Sequence, residues 1–498
     1  MIETKRFGVE AGIVGSGRSI YIASVFILNI GLARSMGREV FGSFQQVFMF
    51  SALFMVLTLG IPETLYYFLP RLKDDERSQF LGQTFLLLGA AGGFVAFILW
   101  SGASAFAHIQ KNPSIAPQIR MFGLYGAFLI ASSFSDPVFI IYKKIRNLFL
   151  LSAVHGIFFV ALTVWQYTSQ ISLDTLFKAM VVFGFCKYML AVMLVRSMKA
   201  EIGPVSIFRG RSQLLLQLVF SMPVALSNTV EIISRWLDKY IVSIYLGPEA
   251  LGVFYVGAIE IPFIGVVVSS IYSVVSPVLN KLHHTNDTRG FVTLVSKTFK
   301  FTSKIIWPVF TYLIVFADHL IPLVFKSDYI GAVMPFRVYL LMMPLRIASY
   351  GALILAIGRP RILFWSAFGA LGLNFILNIV LVIKLGFIGP AIATTISTYF
   401  HVALLLFIIT RELKIRLDEL IPFGFLFSVG VTSGFAVLIA YALTYSMAND
   451  LTTVSTSFMI FACAYLFLGT KAGFIRFADF LEHLRGVDDG KGSDGKDG

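Results

Sequence analysis

Long apolar runs alternate with short polar connections along the whole chain, and about fourteen runs are long enough to cross a bilayer, which takes roughly 20 mostly apolar residues. The runs cover residues 11–33, 40–70, 80–107, 117–141, 148–168, 173–195, 213–245, 251–280, 296–325, 330–357, 361–383, 387–410, 419–446 and 453–470. They lack the ten-residue alternation of barrel strands. Because backbone polar groups cannot stay unpaired in hydrocarbon, the runs predict transmembrane helices, which we number 1 to 14.

Two short segments of the chain share one pattern. Residues 36–44 (MGREVFGSF) and 246–254 (LGPEALGVF) carry Gly, Glu, Gly and Phe at the same spacing, 210 positions apart. The offset covers an even number of predicted helices, so both copies have the same orientation in the membrane. We expect the glutamates of the two copies, Glu39 and Glu249, to lie at turns or helix N-termini rather than to bind a ligand.

The duplication predicts two six-helix lobes, helices 1–6 and 7–12, related by a pseudo-two-fold axis along the membrane normal, with helices 13 and 14 appended. The expected domains are an N-lobe, a C-lobe, the two extra helices and a Gly- and Asp-rich cytoplasmic tail that is largely disordered; they cover residues 1–200, 201–412, 413–472 and 473–498. Such a plan is typical of alternating-access transporters, although duplication also builds other large helical proteins.

Composition supports an integral membrane protein. Of the 498 residues, 57% are hydrophobic and 13% are charged, whereas soluble domains are roughly a quarter charged. Cys186 and Cys463 lie inside apolar runs, which predicts packed small residues rather than a disulfide.

The charge distribution predicts the orientation of the chain. Alternate connections between the runs are basic and hold about 27 of the 40 Lys and Arg residues. Basic loops stay cytoplasmic, so we expect both termini to be cytoplasmic. The net charge of +13 mostly reflects these loops, and we expect no binding of nucleic acid.

Predicted helix 7 has the sharpest group of polar residues. Asn228, Glu231, Arg235 and Asp238 recur at three- and four-residue spacing and so share one helix face. Ionisable side chains at membrane depth are costly and normally face a wet interior or one another. The group therefore indicates a substrate or ion site; the alternative is an internal Glu–Arg–Asp cluster that holds helices together.

Predicted helix 2 carries a second group, formed by Glu63, Tyr66 and Tyr67. Pro62 and Pro70 predict a kinked or locally opened helix there, which favours gating.

Further candidates are spread over other helices. Arg18 lies near the start of helix 1, where snorkelling to the surface is an alternative. Arg346 lies in the middle of helix 10, two residues after Pro344. Lys187 and Glu260 are additional candidates within helices 6 and 8.

Five other polar residues allow two interpretations each. Asp136 precedes Pro137 and can simply satisfy a broken turn. His155 and His401 are isolated in the sequence, which favours packing over a proton relay. Asn374 and Asn378 can bind sugar hydroxyls or another helix.

Catalytic and nucleotide-binding motifs are missing from the sequence, including a Walker loop, His-Glu-x-x-His and Gly-x-Ser-x-Gly. We therefore expect a transporter and not an enzyme, with no cofactor, driven by an ion gradient, the membrane potential or downhill substrate. The candidate coupling ions are Na⁺ and H⁺, and the candidate carboxylates are Glu63, Glu231, Asp238 and Glu260.

Three stretches resemble bacterial polysaccharide exporters and O-antigen flippases, of the superfamily that includes multidrug and toxin extrusion (MATE) transporters and the lipid II flippase. They are LGIPETLYYFLPRL (59–72), LGPEALGVFYVGAIEIPF (246–263) and GRPRILFWSAFGALGLNFILNIVLVIKLGFIGPAIATTIS (358–397). The resemblance implies export of an undecaprenyl-pyrophosphate-linked oligosaccharide across a bacterial inner membrane by two lobes with alternating access.

Such a substrate suits the candidate residues. Arg offers forked donors to phosphate oxygens, which favours Arg18, Arg235 and Arg346 as pyrophosphate ligands. Sugars are bound by amides and aromatic faces, which Gln45, Gln46, Tyr66, Tyr67 and Asn228 can supply. The sequence departs from the lipid II flippases, whose helices 1, 2 and 8 present cations, because helices 2 and 8 here carry Glu63 and Glu260.

Two alternatives to the flippase remain open. One is a cation-coupled multidrug exporter, and the other is a membrane glycan polymerase, ligase or acyltransferase. For the flippase we expect a monomer whose partners are the lipid-linked glycan and membrane lipids, with other polysaccharide assembly proteins as further candidates.

Overall fold

The structure is a computed structural model that describes residues 2–58, 60–198, 214–259 and 261–475, with the backbone alone at 2–18, 74–75, 223–224, 227–228 and 262–263. The described residues form helices and connections, without a β-strand. The helices are α1 Ile2–Ser35, α2 Arg38–Phe48, α3 Ser51–Leu57, α4 Ile61–Phe68, α5 Asp74–Ile109, α6 Ala116–Ser132, α7 Ser135–Ile141, α8 Ile145–Ser169, α9 Leu173–Ser197, α10 Leu214–Gly257, α11 Pro262–His284, α12 Thr288–Val315, α13 Ala317–Phe325, α14 Val333–Leu340, α15 Tyr350–Ala356, α16 Pro360–Leu385, α17 Gly389–Leu413, α18 Leu417–Leu420, α19 Phe423–Thr444 and α20 Asp450–Lys471.

Ten of the described stretches are long and apolar enough to cross a membrane, and eleven are if α12 and α13, bent by 82°, count as one span. One of the ten, Pro360–Leu413, contains both α16 and α17. Predicted helix 10 is divided into α14, a 3₁₀ turn at Met343–Ile347 and α15, which follows from the proline at position 344. The all-α membrane fold is confirmed, and the count of fourteen spans stays a prediction.

Helix breaks occur at matching places in the two repeats. Gly37 precedes the first turn of α2, and Gly247, with φ +84°, kinks α10 at the equivalent position. Glu39 lies in the first turn of α2, and Glu249 follows the kink by two residues, as expected for residues that meet the positive end of a helix dipole. A second break follows α2 at 49–50 in one repeat and follows α10 at 258–259 in the other.

Helix 2 opens once more at Gly60, whose φ of +63° is a conformation that glycine adopts without strain. The segment α4 starts there with Pro62 at its second position. The predicted interruption of helix 2 around Pro62 is therefore present in the structure.

The chain divides into two compact units. The first unit contains Met1–Pro262, Val324–Tyr339 and Arg361–His401. Inside it α1 packs on α8, α5 on α6, α6 on α9 and α2 on α10. Aromatic rings fill the contacts; Phe44, for example, stacks on Phe177 with ring centres 5.6 Å apart.

The second unit contains Phe263–Leu323, Leu340–Pro360 and Val402–Gly498. Its core is a cluster on α12, α19 and α20 that includes Tyr312, Val429 and Phe461. The Tyr312 hydroxyl donates to the Val454 carbonyl oxygen at 2.9 Å, so α12 and α20 are also joined by a directional bond. The predicted lobes, 1–200 and 201–412, stay a prediction.

The prediction for the two cysteines was half right. Cys186 and Cys463 are free thiols, but both are exposed rather than packed in a core. On a membrane protein such a surface faces lipid tails, which accept a small apolar residue as well as a core does.

Candidate functional site

Glu231 and Arg235 form an ion pair on α10. Arg235 Nη2 lies 2.7 Å from Glu231 Oε1, and the two side chains are 53% and 70% exposed. They lie one helical turn apart, as their spacing predicts. Two exposed charges on a helix of membrane length need water around them, so this face indicates a hydrated surface rather than contact with lipid.

Asp238, the next acidic residue on the same helix, has different surroundings. Its side chain is 2% exposed and lies 3.2 Å from Lys239 Nζ. The Tyr339 hydroxyl donates a hydrogen bond to its second oxygen. A buried carboxylate with two such partners is compensated inside the protein, so this part of the pattern corresponds to the helix-holding alternative.

The helix 2 group lies on α4, after the break at Gly60. Glu63 is exposed, and Tyr66 and Tyr67 are 42% and 44% exposed. Tyr67 stacks on Phe220 of α10 at 4.8 Å, and the Arg71 guanidinium lies 3.9 Å from the Tyr67 ring centre. The first unit therefore presents a carboxylate, two phenol groups and a cation at the far end of helix 2.

The structure does not bring the remaining predicted site residues next to the candidates on α4 and α10. Arg346 lies in the second unit, in the 3₁₀ turn at Met343–Ile347, and is partly buried. The side chains of Arg18, Asn228 and Glu260 lie outside the described residues.

The two repeat segments contact each other through their second glycines. A Cβ on Gly42 would overlap the carbonyl of Pro248 and lie 3.0 Å from the Gly252 backbone nitrogen. A Cβ on Gly252 would overlap the Arg38 carbonyl oxygen and lie 3.1 Å from the Gly42 nitrogen. We call this reciprocal backbone contact the glycine crossing; equivalent residues that contact each other in both directions are the signature of a local two-fold.

An ion pair borders the glycine crossing. Arg38 Nη2 lies 3.3 Å from Glu249 Oε1, both side chains being about half exposed. The glutamate of one repeat thus contacts a residue of the other repeat.

A buried polar network lies behind the crossing. Gln46 donates to the Ser243 hydroxyl at 2.9 Å and to the Gln110 carbonyl oxygen at 2.8 Å. Asn112 donates to both Ser43 and Gln46 at 2.8 Å. These groups are neutral and saturate one another, which joins α2, the end of α5 and α10 without a charge.

The network corrects the prediction for two glutamines. Gln45 and Gln46 are fully buried, and Gln45 donates to Asn29 at 2.6 Å. Their amides bind protein atoms and present no surface to a sugar. The sequence pattern could not reveal this, because the partners lie on other helices.

Among the other polar candidates, Asn374 and Asn378 bond to each other on α16, and the Thr394 hydroxyl of α17 lies 3.5 Å from Asn374 Oδ1. His401 lies 3.2 Å from the Ser366 hydroxyl. The isolation predicted for His155 was wrong, because Lys187 and Tyr125 both contact its ring.

Comparison with known proteins decides the family. The family described as polysaccharide biosynthesis protein matches residues 31–334, more than half of the chain. The chain belongs to this family.

One curated relative of this polysaccharide biosynthesis protein is the probable low-salt glycan biosynthesis flippase Agl15 of Haloferax volcanii. The two are 27% identical over 184 residues, which is 32% of this chain and 35% of the relative. The match thus spans about a third of the relative's length.

Solved structures with the same fold cover almost the whole chain. The lipid II flippase MurJ in an inward closed conformation has a TM-score of 0.75 and 16% identity, and the match covers 95% of this chain and 99% of MurJ. An inward-facing multidrug resistance transporter of the MATE family has a TM-score of 0.65 and 13% identity, with 80% and 95% covered. At these identities the likeness shows the fold alone.

Proposed function

We propose that this protein moves an undecaprenyl-pyrophosphate-linked oligosaccharide from the cytoplasmic to the outer leaflet by alternating access, for the biosynthesis of a surface polysaccharide. The observation that carries the proposal is the exposed Glu231–Arg235 pair on a membrane-length helix of a polysaccharide biosynthesis protein. In membrane proteins, a hydrated face with charged side chains typically lines the pathway of a polar substrate.

The chemistry of the cargo suits the exposed residues. A pyrophosphate binds arginine through paired N–H donors, and Arg235 is the arginine of the first unit that we assign to it. Arg346, in the second unit, is a separate candidate. Sugar rings stack on phenol faces, which the exposed Tyr66 presents, whereas the Tyr67 ring already contacts Phe220 and Arg71. Glu231, which pairs with Arg235, competes with the phosphate for it.

The proposal includes a location and an energy source. The basic connections support insertion into a bacterial inner membrane with both termini cytoplasmic. We assign coupling to Na⁺ or H⁺, with Glu63 and Glu231 as the exposed carboxylates, and we expect a monomer that works beside other polysaccharide assembly proteins.

In that orientation the glycine crossing lies at the outer ends of helices 1, 2, 7 and 8. The crossing and its buried network then hold the outer ends of these helices together within the first unit. Release of the glycan requires the crossing to separate.

The experiment is complementation of a flippase-deficient strain, scored by lipid-linked glycan trapped on the cytoplasmic face. Arg235→Ala and Arg346→Ala are expected to insert and accumulate normally while glycan export falls. Arg416→Ala is the matched control, because Arg416 also pairs with a carboxylate, Asp418, but lies in a connection outside the predicted spans.

Two results would contradict the proposal. One is failure of the unmodified chain to restore export in a strain that accumulates it. The other is full export when Arg235 and Arg346 are both replaced, which would remove them as the anion site.

A further inference from the structure

His155 is the centre of a small buried cluster in the first unit. The residue is 4% exposed and lies on α8. The Nζ atom of Lys187 on α9 lies 3.1 Å from its Nδ1 atom, and the hydroxyl of Tyr125 on α6 lies 3.3 Å from its Nε2 atom. The ring of Tyr21 on α1 lies 4.8 Å from the imidazole. Four helices therefore meet at one imidazole.

The cluster lies far from both ends of its helices. Lys187 is about 21 Å from Leu173 and about 15 Å from Ser197 along α9, at 1.5 Å per residue. Phe159 and Phe183 pack against the imidazole, with ring centres 4.7 Å and 5.1 Å away. An amine and an imidazole at such depth are expensive to keep, which indicates a function beyond packing.

Lys187 and His155 together can hold one proton more than their two neutral side chains. With one proton, the ammonium donates to Nδ1, and the remaining ring hydrogen on Nε2 donates to the Tyr125 oxygen. A second proton would place two cations 3.1 Å apart in apolar surroundings and break the bond. The two groups therefore titrate as a coupled pair rather than singly.

No carboxylate within the described side chains forms an ion pair with Lys187, so its charge has no compensation at contact distance. Asp136, in the first turn of α7, acts on Lys187 from further away and is itself exposed. The other titratable groups that face the pair are the phenols of Tyr21 and Tyr125, which are neutral donors or acceptors.

We propose that Lys187 and His155 form a proton-binding site that takes up and releases one proton, and that its occupancy sets the packing of α8 against α1, α6 and α9. In one respect this rests on the proposed function: the proton is then the coupling ion for glycan movement. The site is separate from the carboxylates of Glu63 and Glu231 on α4 and α10.

The first experiment measures the proton directly on the full chain in detergent. Proton uptake is recorded while the pH is lowered from about 8.5 to about 5.5, for the unmodified protein and for Lys187→Met combined with His155→Phe. The unmodified protein is expected to bind about one more proton than the double variant, because the proposed site holds one proton. The control is Lys178→Met, which removes an exposed lysine from the same helix.

A second variant covers the case in which the double variant fails to fold. Lys187→Arg keeps a cationic donor that cannot lose its proton. It is expected to remove the same proton from the titration while the protein still accumulates. Equal uptake by the unmodified protein and Lys187→Arg would overturn the site.

The second experiment is glycan export in the complemented strain, with and without a protonophore. Export is expected to fail with the protonophore and in Lys187→Arg, and to persist in Lys178→Met. A titrating pair combined with full export by Lys187→Arg would overturn the coupling. A titrating pair in a chain that never restores export would contradict the proposed function and leave the proton site in place.

Discussion

Replacement of Gly42 by alanine tests whether the glycine crossing holds the two repeats together. The added methyl would lie 2.6 Å from the carbonyl carbon of Pro248 and 3.0 Å from the nitrogen of Gly252, where ordinary contact begins at 3.4 Å. Because both neighbours are backbone atoms and the Pro248 carbonyl oxygen lies nearer still, the helices α2 and α10 must separate by more than about 1 Å, and overpacking of this kind typically costs about 1–3 kcal/mol. Separation also weakens the buried Gln46–Ser243 hydrogen bond, which contributes about 1 kcal/mol.

The matched control is Gly89→Ala. Gly89 is also inside a helix, but a Cβ there meets nothing within 4 Å. Both substitutions gain about 1 kcal/mol of helix propensity, so the difference between them isolates the contact. We expect Gly42→Ala to weaken the closed crossing by about 2–3 kcal/mol relative to Gly89→Ala.

The assay is the rate at which a charged thiol reagent labels Ser43→Cys, in a background with Cys186→Ala and Cys463→Ala. Ser43 is 7% exposed behind the crossing, whereas the two native thiols are exposed and would mask the signal. A difference of about 2–3 kcal/mol corresponds to labelling that is about 30- to 150-fold faster.

Equal labelling rates with Gly42→Ala and Gly89→Ala would refute the reasoning. The local two-fold symmetry leads to a second expectation. Gly252→Ala must act in the same direction, since its Cβ would meet the backbone of Arg38 and Gly42.

Two substitutions test the buried polar groups through the thermal unfolding of the purified protein. Asn112→Ala removes both donors to two buried acceptors on α2 and should cost about 1–3 kcal/mol. Tyr339→Phe removes a donor to the buried Asp238 carboxylate and should cost about 1.5–3 kcal/mol, whereas Tyr445→Phe, at a residue that is 72% exposed, should leave stability unchanged. An unfolding midpoint unaffected by either core substitution would contradict the assigned bond.

Much of the architecture can be read from the sequence because it depends on local properties. Hydropathy over about 20 residues locates helices in a membrane protein. The breaks at Gly37 and Gly247, and the glutamates that follow them, are signals carried by a few adjacent residues. The opened helix 2 follows in the same way from Gly60 and Pro62.

Burial within the candidate site could not be predicted from helix spacing. Glu231, Arg235 and Asp238 share a face by spacing, yet the first two are exposed and Asp238 is buried. The spacing determines the direction of a side chain about its own helix. What lies in that direction, such as Tyr339, depends on a helix about a hundred positions away.

The sequence by itself therefore determined the helices, their breaks, the internal repeat and the resemblance to polysaccharide flippases. Tertiary structure decided that the repeats contact each other at Gly42 and Gly252, and that His155 and Lys187, 32 positions apart, share a hydrogen bond. The physical reason is that helix formation and insertion depend on neighbours along the chain, whereas contacts between helices depend on close packing of surfaces that are distant in sequence.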